Sequence, residues 1–381
     1  MRAWSECYTA AELRKLPDFS SMRINRLVPA CLLLTSVVVS SACSSVGYYS
    51  QAVGGHIRLM LAREPIDKLL TDESTPEELR ARLRTLVEAR HFAVERLQLP
   101  DNDSYGSYVE TGRDAVTWNV VAAEEFSLKA RTWCFPVAGC VSYRGYFDKA
   151  DAQAYAEQLA AENYDVSVGG ASAYSTLGWF DDPVLDTMLR GGSVRFVGTL
   201  FHELAHQVLY VKNDSNFNEA FATFVEQEGV RQWLAERGES ERVEAYNASQ
   251  QRVLGFLALL KQTRDELVEL YAKDLPETAM RAEKEAVFDN MRNAYELLKQ
   301  QWGGYAGYDN WFRRELNNAR LVAVSTYRRD VPAFQAMYDE AGQDMAAFFE
   351  LARKLGDLPY EQRRRRIADY DLAAAQRLDS Q

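Results

Sequence analysis

His202 and His206 stand four residues apart in the run Thr199-Leu-Phe-His-Glu-Leu-Ala-His-Gln207, and this spacing constrains the chain more than any other feature. On an α-helix, residues four apart project from one face, one turn above the other. Two imidazoles so placed can share a tetrahedral Zn²⁺, and Glu203 between them can act as general base on a bound water. The flanking Val194, Phe196, Val197, Leu200, Phe201, Leu204 and Ala205 make the helix apolar nearly all round, so it must be buried. Buried His, Glu and His need something to satisfy them, and a metal ion does so. The chain has only four histidines, and two of them fall here.

A catalytic zinc takes three protein ligands and keeps one position open. Glu219 is the expected third, with twelve residues between it and His206. Val211-Lys-Asn-Asp-Ser-Asn216 reads as a polar turn, and Asn216 or Asn218 can cap a second helix. On that helix Glu219, Thr223 and Glu226 share a face, while Phe221, Phe224 and Val225 supply apolar contacts. Glu226 suits an outer carboxylate that orients a ligand histidine, and Asp214 competes for that role. The other reading of these residues is a surface helix with solvated acids beside a hydrogen-bonded histidine pair.

Asn218-Glu-Ala-Phe-Ala-Thr-Phe-Val-Glu226 resembles the second zinc motif of the gluzincin metallopeptidases, where the Glu ligates the metal. The aminopeptidase-N group and thermolysin carry such an element, with a loop between the motifs several residues longer than here. The shorter loop, with Trp-Cys-Phe-Pro-Val-Ala-Gly-Cys (133–140), Tyr-Arg-Gly-Tyr-Phe (143–147) and Ala-Tyr-Ser-Thr-Leu-Gly-Trp-Phe (173–180), resembles a bacterial family of putative aminopeptidases, often lipoproteins. The likeness runs from about Tyr48 to the 350s. It implies a zinc peptidase acting on peptide substrates, with one Zn²⁺ on His202, His206 and Glu219. It implies an edge strand that pairs with the substrate backbone, for which Tyr174, Ser175 and Thr176 are the candidates; ordinary sheet core is the alternative. It also implies a tyrosine that stabilises the tetrahedral intermediate, and Tyr327 is the candidate.

The N-terminus carries its own signals. Arg23 and Arg26 precede the apolar run from Leu27 to Val39, which ends in Ser40-Ser-Ala-Cys43. A basic start, a short apolar stretch and small residues at the end make an export signal and not a membrane-spanning helix. The closing Cys resembles a bacterial lipoprotein signal with Cys43 as the lipidated residue, although Ser40 stands where Leu is usual. Cleavage without lipidation, or a retained anchor, is the alternative. Met22 makes a better start than Met1, so residues 1–21 read as a misassigned extension, 22–42 as the signal and 43–381 as the working chain. Ser44 lacks the Asp associated with inner-membrane retention in enteric bacteria, which points to the outer membrane, facing the periplasm.

Cys134 and Cys140 are then the only cysteines left in an exported domain, and an even pair outside the cytoplasm reads as one disulfide. Removing residues 1–42 takes the net charge from −11 to −13, and no basic patch dominates apart from Arg363-Arg-Arg-Arg366. That disfavours a nucleic-acid partner; the arginine run reads as a solvated helix face.

The expected fold is α+β and predominantly α-helical, gluzincin-like, with a small sheet before the zinc helix and a helical C-terminal lobe. Within 43–381 the parts are an N-terminal helical segment (44–112), sheet plus zinc core (113–236) and helical lobe (237–381). Residues 115–121 and 141–147 read as strands, as do 166–168 and 173–179 around Gly169-Gly170. Helices are expected over 150–162, 240–272 and 277–301, with Leu254, Leu257, Leu260, Leu267 and Leu270 as one core stripe. His56 and His91 have no partner at ligand spacing and read as structural. The function these features suggest is an aminopeptidase of the cell envelope. An envelope endopeptidase and a non-catalytic zinc lipoprotein that binds or assembles partners are the alternatives, since aminopeptidase-N relatives bind the substrate amine through a Gly-x-Met-Glu-Asn strand that this sequence lacks.

Overall fold

The computed structural model describes residues 47–135, 139–176, 178–325 and 330–378. The export signal, Cys43 and Tyr327 lie outside these residues. The chain divides into two units, 1–53 and 54–381. Of the first, residues 47–53 are described and are helical. The second opens with α1 (54–61), β1 (Glu64–Pro65), α2 (Ile66–Thr71) and α3 (Glu77–Glu95). Then come β2 (Ser107–Val109), β3 (Thr117–Glu124), β4 (Trp133–Phe135), β5 (Gly139–Val141), β6 (Arg144–Tyr146), α4 (Lys149–Ala161), β7 (Tyr164–Ala171) and β8 (Val184–Leu185). The rest is helical: α5 (Ser193–Val208), α6 (Ser215–Glu236), α7 (Ser240–Tyr271), α8 (Glu277–Gln301) and α9 (Asp309–Phe312). After these follow α10 (Asn318–Ser325), α11 (Val331–Glu340), α12 (Met345–Gly356) and α13 (Tyr360–Leu378). The unit is therefore α+β with helices in the majority. No helix among the described residues is long and apolar enough to cross a membrane.

Two small sheets precede α5. One has the order β6-β3-β7, with both pairings antiparallel; the other, β1-β2-β8, pairs β2 parallel to β8. The strand expected over 166–168 is longer: β7 pairs with β3 from Thr117↔Ala171 to Glu124↔Tyr164, and Gly169-Gly170 sits inside it. A Cβ on Gly170 would lie 2.7 Å from that of Ala115 and 3.3 Å from the Trp118 ring. This glycine allows close approach and makes no turn. The strand expected over 173–179 does not form among the described residues of that range. Thr176 donates its N–H to the Asp182 carboxylate, at 2.7 Å, so a side chain takes the group that a ladder would use.

β4 and β5 form a two-stranded hairpin in which Cys134 and Cys140 are bridged. The Cys140 N–H donates to Asn213 Oδ1 at 2.8 Å, which sets the hairpin against the turn between α5 and α6. Replacing both cysteines by serine is expected to lower stability by about 2 kcal/mol, the chain-entropy value for so short a loop. Urea unfolding measures this; an unchanged midpoint would mean that other contacts set the hairpin.

One apolar core gathers Leu83 and Leu86 of α3, Leu200 and Leu204 of α5, Phe221 and Phe224 of α6, Phe334 of α11, Phe348 of α12 and Ile367 of α13. A second joins α7 and α8 through Phe256, Leu260, Leu267, Phe288 and Tyr295. In the leucine stripe of α7, Leu260, Leu267 and Leu270 are buried but Leu254 is 52% exposed. At 3.6 residues per turn Leu254 lies about 140° round the helix from Leu267, so the stripe is too wide for one core to cover. The arginine run is only half solvated. Arg363 Nε meets Asp214 Oδ2 at 2.8 Å, both side chains buried, and Arg364 pairs with Asp330.

Candidate metal centre

α5 and α6 are joined by a short turn that is bonded at both ends. Asp214 caps α6 by accepting from the Phe217 N–H at 3.2 Å. Asn218 bonds both main-chain groups of Val211, at 2.7 and 2.8 Å. With its carboxylate engaged by the cap and by Arg363, Asp214 acts on the start of the Glu219 helix and not on a histidine. The two helices close together at Gly198, where a Cβ would lie 3.2 Å from Glu226 Cγ and Oε1. Gly198 stands one turn before His202, so its missing side chain lets the Glu226 carboxylate reach the imidazole.

The histidines and Glu219 converge there. His202 Nε2 lies 3.2 Å from His206 Nε2 and 3.4 Å from Glu219 Oε2, and His206 Nε2 lies 3.9 Å from Glu219 Oε1. One ligand atom from each of the three residues falls within 4.8 Å of the others. Ligands held about 2.0–2.1 Å from a tetrahedral zinc stand about 3.3 Å apart, so these separations fit such an ion. The donor set fits as well: two ring nitrogens and a carboxylate is a three-ligand zinc pattern that leaves one position open.

His202 Nδ1 is 3.2 Å from Glu226 Oε2. With Nδ1 donating to Glu226, Nε2 keeps a lone pair that could face a metal ion. His206 is less supported, because its buried Nδ1 has no hydrogen-bond partner among the described residues.

The electrostatics follow from packing three acids and two imidazoles in a mostly buried space. For His202 burial opposes the charged form, but the hydrogen bonds and charges of Glu219 and Glu226 outweigh it and hold its pKa well above the usual value. Burial, opposed by Glu219 and helped by His202, pushes His206 down to about 4. In Glu219 burial is outweighed by the hydrogen bond from His202 and by the charges of both imidazoles, so its carboxyl lies below the ordinary range. Burial pushes Glu203 up to about 7; His202 opposes, while Glu219, Asp182 and Glu226 add to the rise. A carboxylate near 7 is poised to exchange a proton at neutral pH.

Two residues at the site were not singled out from the sequence. The Tyr105 hydroxyl is raised by burial, then by the charges of Glu203 and Asp182. Tyr210 is raised by burial, then by Glu219. No local pattern marks either one, since each reaches the site through a loop. Tyr174, Ser175 and Thr176 lie in the segment after β7, half-buried, with the Tyr174 hydroxyl 3.4 Å from His56 Nδ1. His91 is exposed on α3.

A protein-family model described as "Putative aminopeptidase" matches residues 47–367. No curated protein and no solved structure matches the chain.

Proposed function

The chain belongs to this putative aminopeptidase family, and from that we propose a zinc-dependent aminopeptidase whose ion is held by His202, His206 and Glu219. The observation that carries the reading is the convergence of both Nε2 atoms with the Glu219 carboxylate, with Glu203 on the same helix as the two histidines. A zinc ion there would lower the pKa of a coordinated water to about 7 and polarise the scissile carbonyl. Glu203 takes the proton of the attacking water and passes it to the leaving amine. Glu226 accepts from His202 Nδ1 and keeps that ring in the ligating orientation. Tyr327, by resemblance, is the candidate donor to the oxyanion, and Tyr174, Ser175 and Thr176 are candidates to line the bound peptide.

Purified protein equilibrated with zinc is expected to retain one ion per chain. In Glu226→Gln the affinity should fall by about 10–100-fold, the usual effect of losing an outer partner of a ligand histidine. Equal affinity in the two proteins, read by competition with a chromogenic chelator, would remove Glu226 from the account. The missing Gly-x-Met-Glu-Asn strand favours one second reading, an endopeptidase, which the position of the cleaved bond separates from an aminopeptidase. The reading extends to the cell envelope: the expected export signal ending in Cys43 supports a lipid anchor and a site facing the periplasm.

A further inference from the structure

Asp182 is completely buried, and dipoles meet its charge. Its Oδ2 accepts from the Thr176 N–H at 2.7 Å and from Ser175 Oγ at 3.3 Å, and its Oδ1 accepts from Thr176 Oγ1 at 2.9 Å. Its main-chain carbonyl accepts from the Tyr105 N–H at 2.6 Å. Tyr105 stands at φ 60°, a left-handed conformation that a non-glycine residue keeps only where its surroundings over-determine it. What determines it here is the metal helix. Asn102 Nδ2 donates to Gln207 Oε1 at 2.7 Å, and Gln207 Nε2 donates to Ser104 Oγ at 3.2 Å. Gln207 directly follows His206. Beyond the segment, a Cβ built on Gly178 would lie 3.6 Å from Gln207 Cγ.

These bonds make one connected path from the last turn of the metal helix, through residues 102–105 and Asp182, to Ser175 and Thr176. A buried carboxylate is costly and persists only where donors converge on it or a charge such as that of His56 offsets it. Among the described residues the three donors to this one come from the 175–176 segment, which lies outside the strands. The burial that raises the carboxyl of Asp182 is opposed by the same donors, and Glu203 feels its charge.

We propose that Asp182 is a positioning residue that fixes the Tyr174–Thr176 segment against the metal helix as one wall of the peptide-binding cleft. The inference rests on the peptidase reading. It assigns Asp182 an effect on substrate binding, with the chemistry left to Glu203 and the ligand set. Asp182→Asn keeps the shape but turns one acceptor into a donor that faces Thr176 or Ser175.

The test has two arms, both on the zinc-loaded protein. The first is chymotrypsin cleavage after Trp179 and Phe180, which are 70% and 54% exposed at the end of the segment. The second is steady-state kinetics on a fluorogenic peptide that the wild type cleaves. Asp182→Asn is expected to be cut by chymotrypsin about tenfold faster and to show KM raised about tenfold with kcat nearly unchanged, the size of one lost hydrogen bond to a charged group. Thr176→Val, which removes a single donor from the segment itself, should shift both in the same direction by less, and it serves if Asp182→Asn does not fold. An unchanged chymotrypsin rate overturns the clasp. Faster cutting with KM unchanged, or with kcat and zinc content falling together, overturns the cleft role. A wild type that cleaves no peptide overturns the peptidase reading and the cleft role with it, while the chymotrypsin arm still reports on the clasp.

Discussion

Glu203→Gln is expected to cut peptide hydrolysis by about 10²–10⁴-fold while the protein keeps its zinc and its fold. Glutamine has nearly the same shape and cannot take up a proton, so the substitution removes the base and little else. The three groups that converge as a possible metal site belong to His202, His206 and Glu219, which leaves Glu203 outside the proposed ligand set. Its pKa of about 7 reflects burial first, then the neighbouring charges of Glu219, Asp182 and Glu226. In protein stripped of metal, making this residue neutral relieves that repulsion, so the stripped variant should melt at the same temperature as the stripped wild type or higher. Higher stability with lower activity is what a functional carboxylate in a crowded acidic site predicts. A variant that hydrolyses peptides at the wild-type rate would remove Glu203 from the mechanism.

Glu219→Ala is expected to lose zinc, and by more than the roughly 10–100-fold that loss of an outer partner costs. Glu219 is the carboxylate nearest both Nε2 atoms, at 3.4 and 3.9 Å. Without it the two imidazoles, 3.2 Å apart, are left to hold the ion by themselves. Metal analysis after gel filtration should find far less than one zinc per chain in this variant. Full occupancy in Glu219→Ala, with loss in Glu226→Ala, would transfer the third ligand to Glu226.

The parts of the site that were legible in the sequence are those set by helical period. The spacing of His202 and His206, and of Glu219 and Glu226, fixes which side chains share a face wherever the helix lies. The apolar flanks of α5 likewise announced its burial, and its core-facing Leu200, Phe201 and Leu204 are fully buried. What the sequence hid depends on contacts between distant segments. The 173–179 stretch has the aromatic and small residues of a strand, but Asp182 takes the Thr176 N–H and its described residues stay outside the sheet. Gly198 reads as an ordinary weak point in a helix until Glu226 is seen packed against it. Arg363 looked solvated in a run of four arginines, and only the fold brings Asp214 to it. Tyr105 and Asn102 carry no periodic signal at all, because they lie in a loop that only the fold brings to Gln207 of α5.

Digestion of a mixed peptide library by the wild type tests the central claim most directly, with the protein loaded with one equivalent of zinc and again after the ion is removed by a chelator. The account predicts release of single residues from free N-termini by the loaded protein, no release after chelation, and recovery when zinc is restored. A loaded protein that leaves every peptide intact, or one that cleaves equally well without the ion, would contradict it.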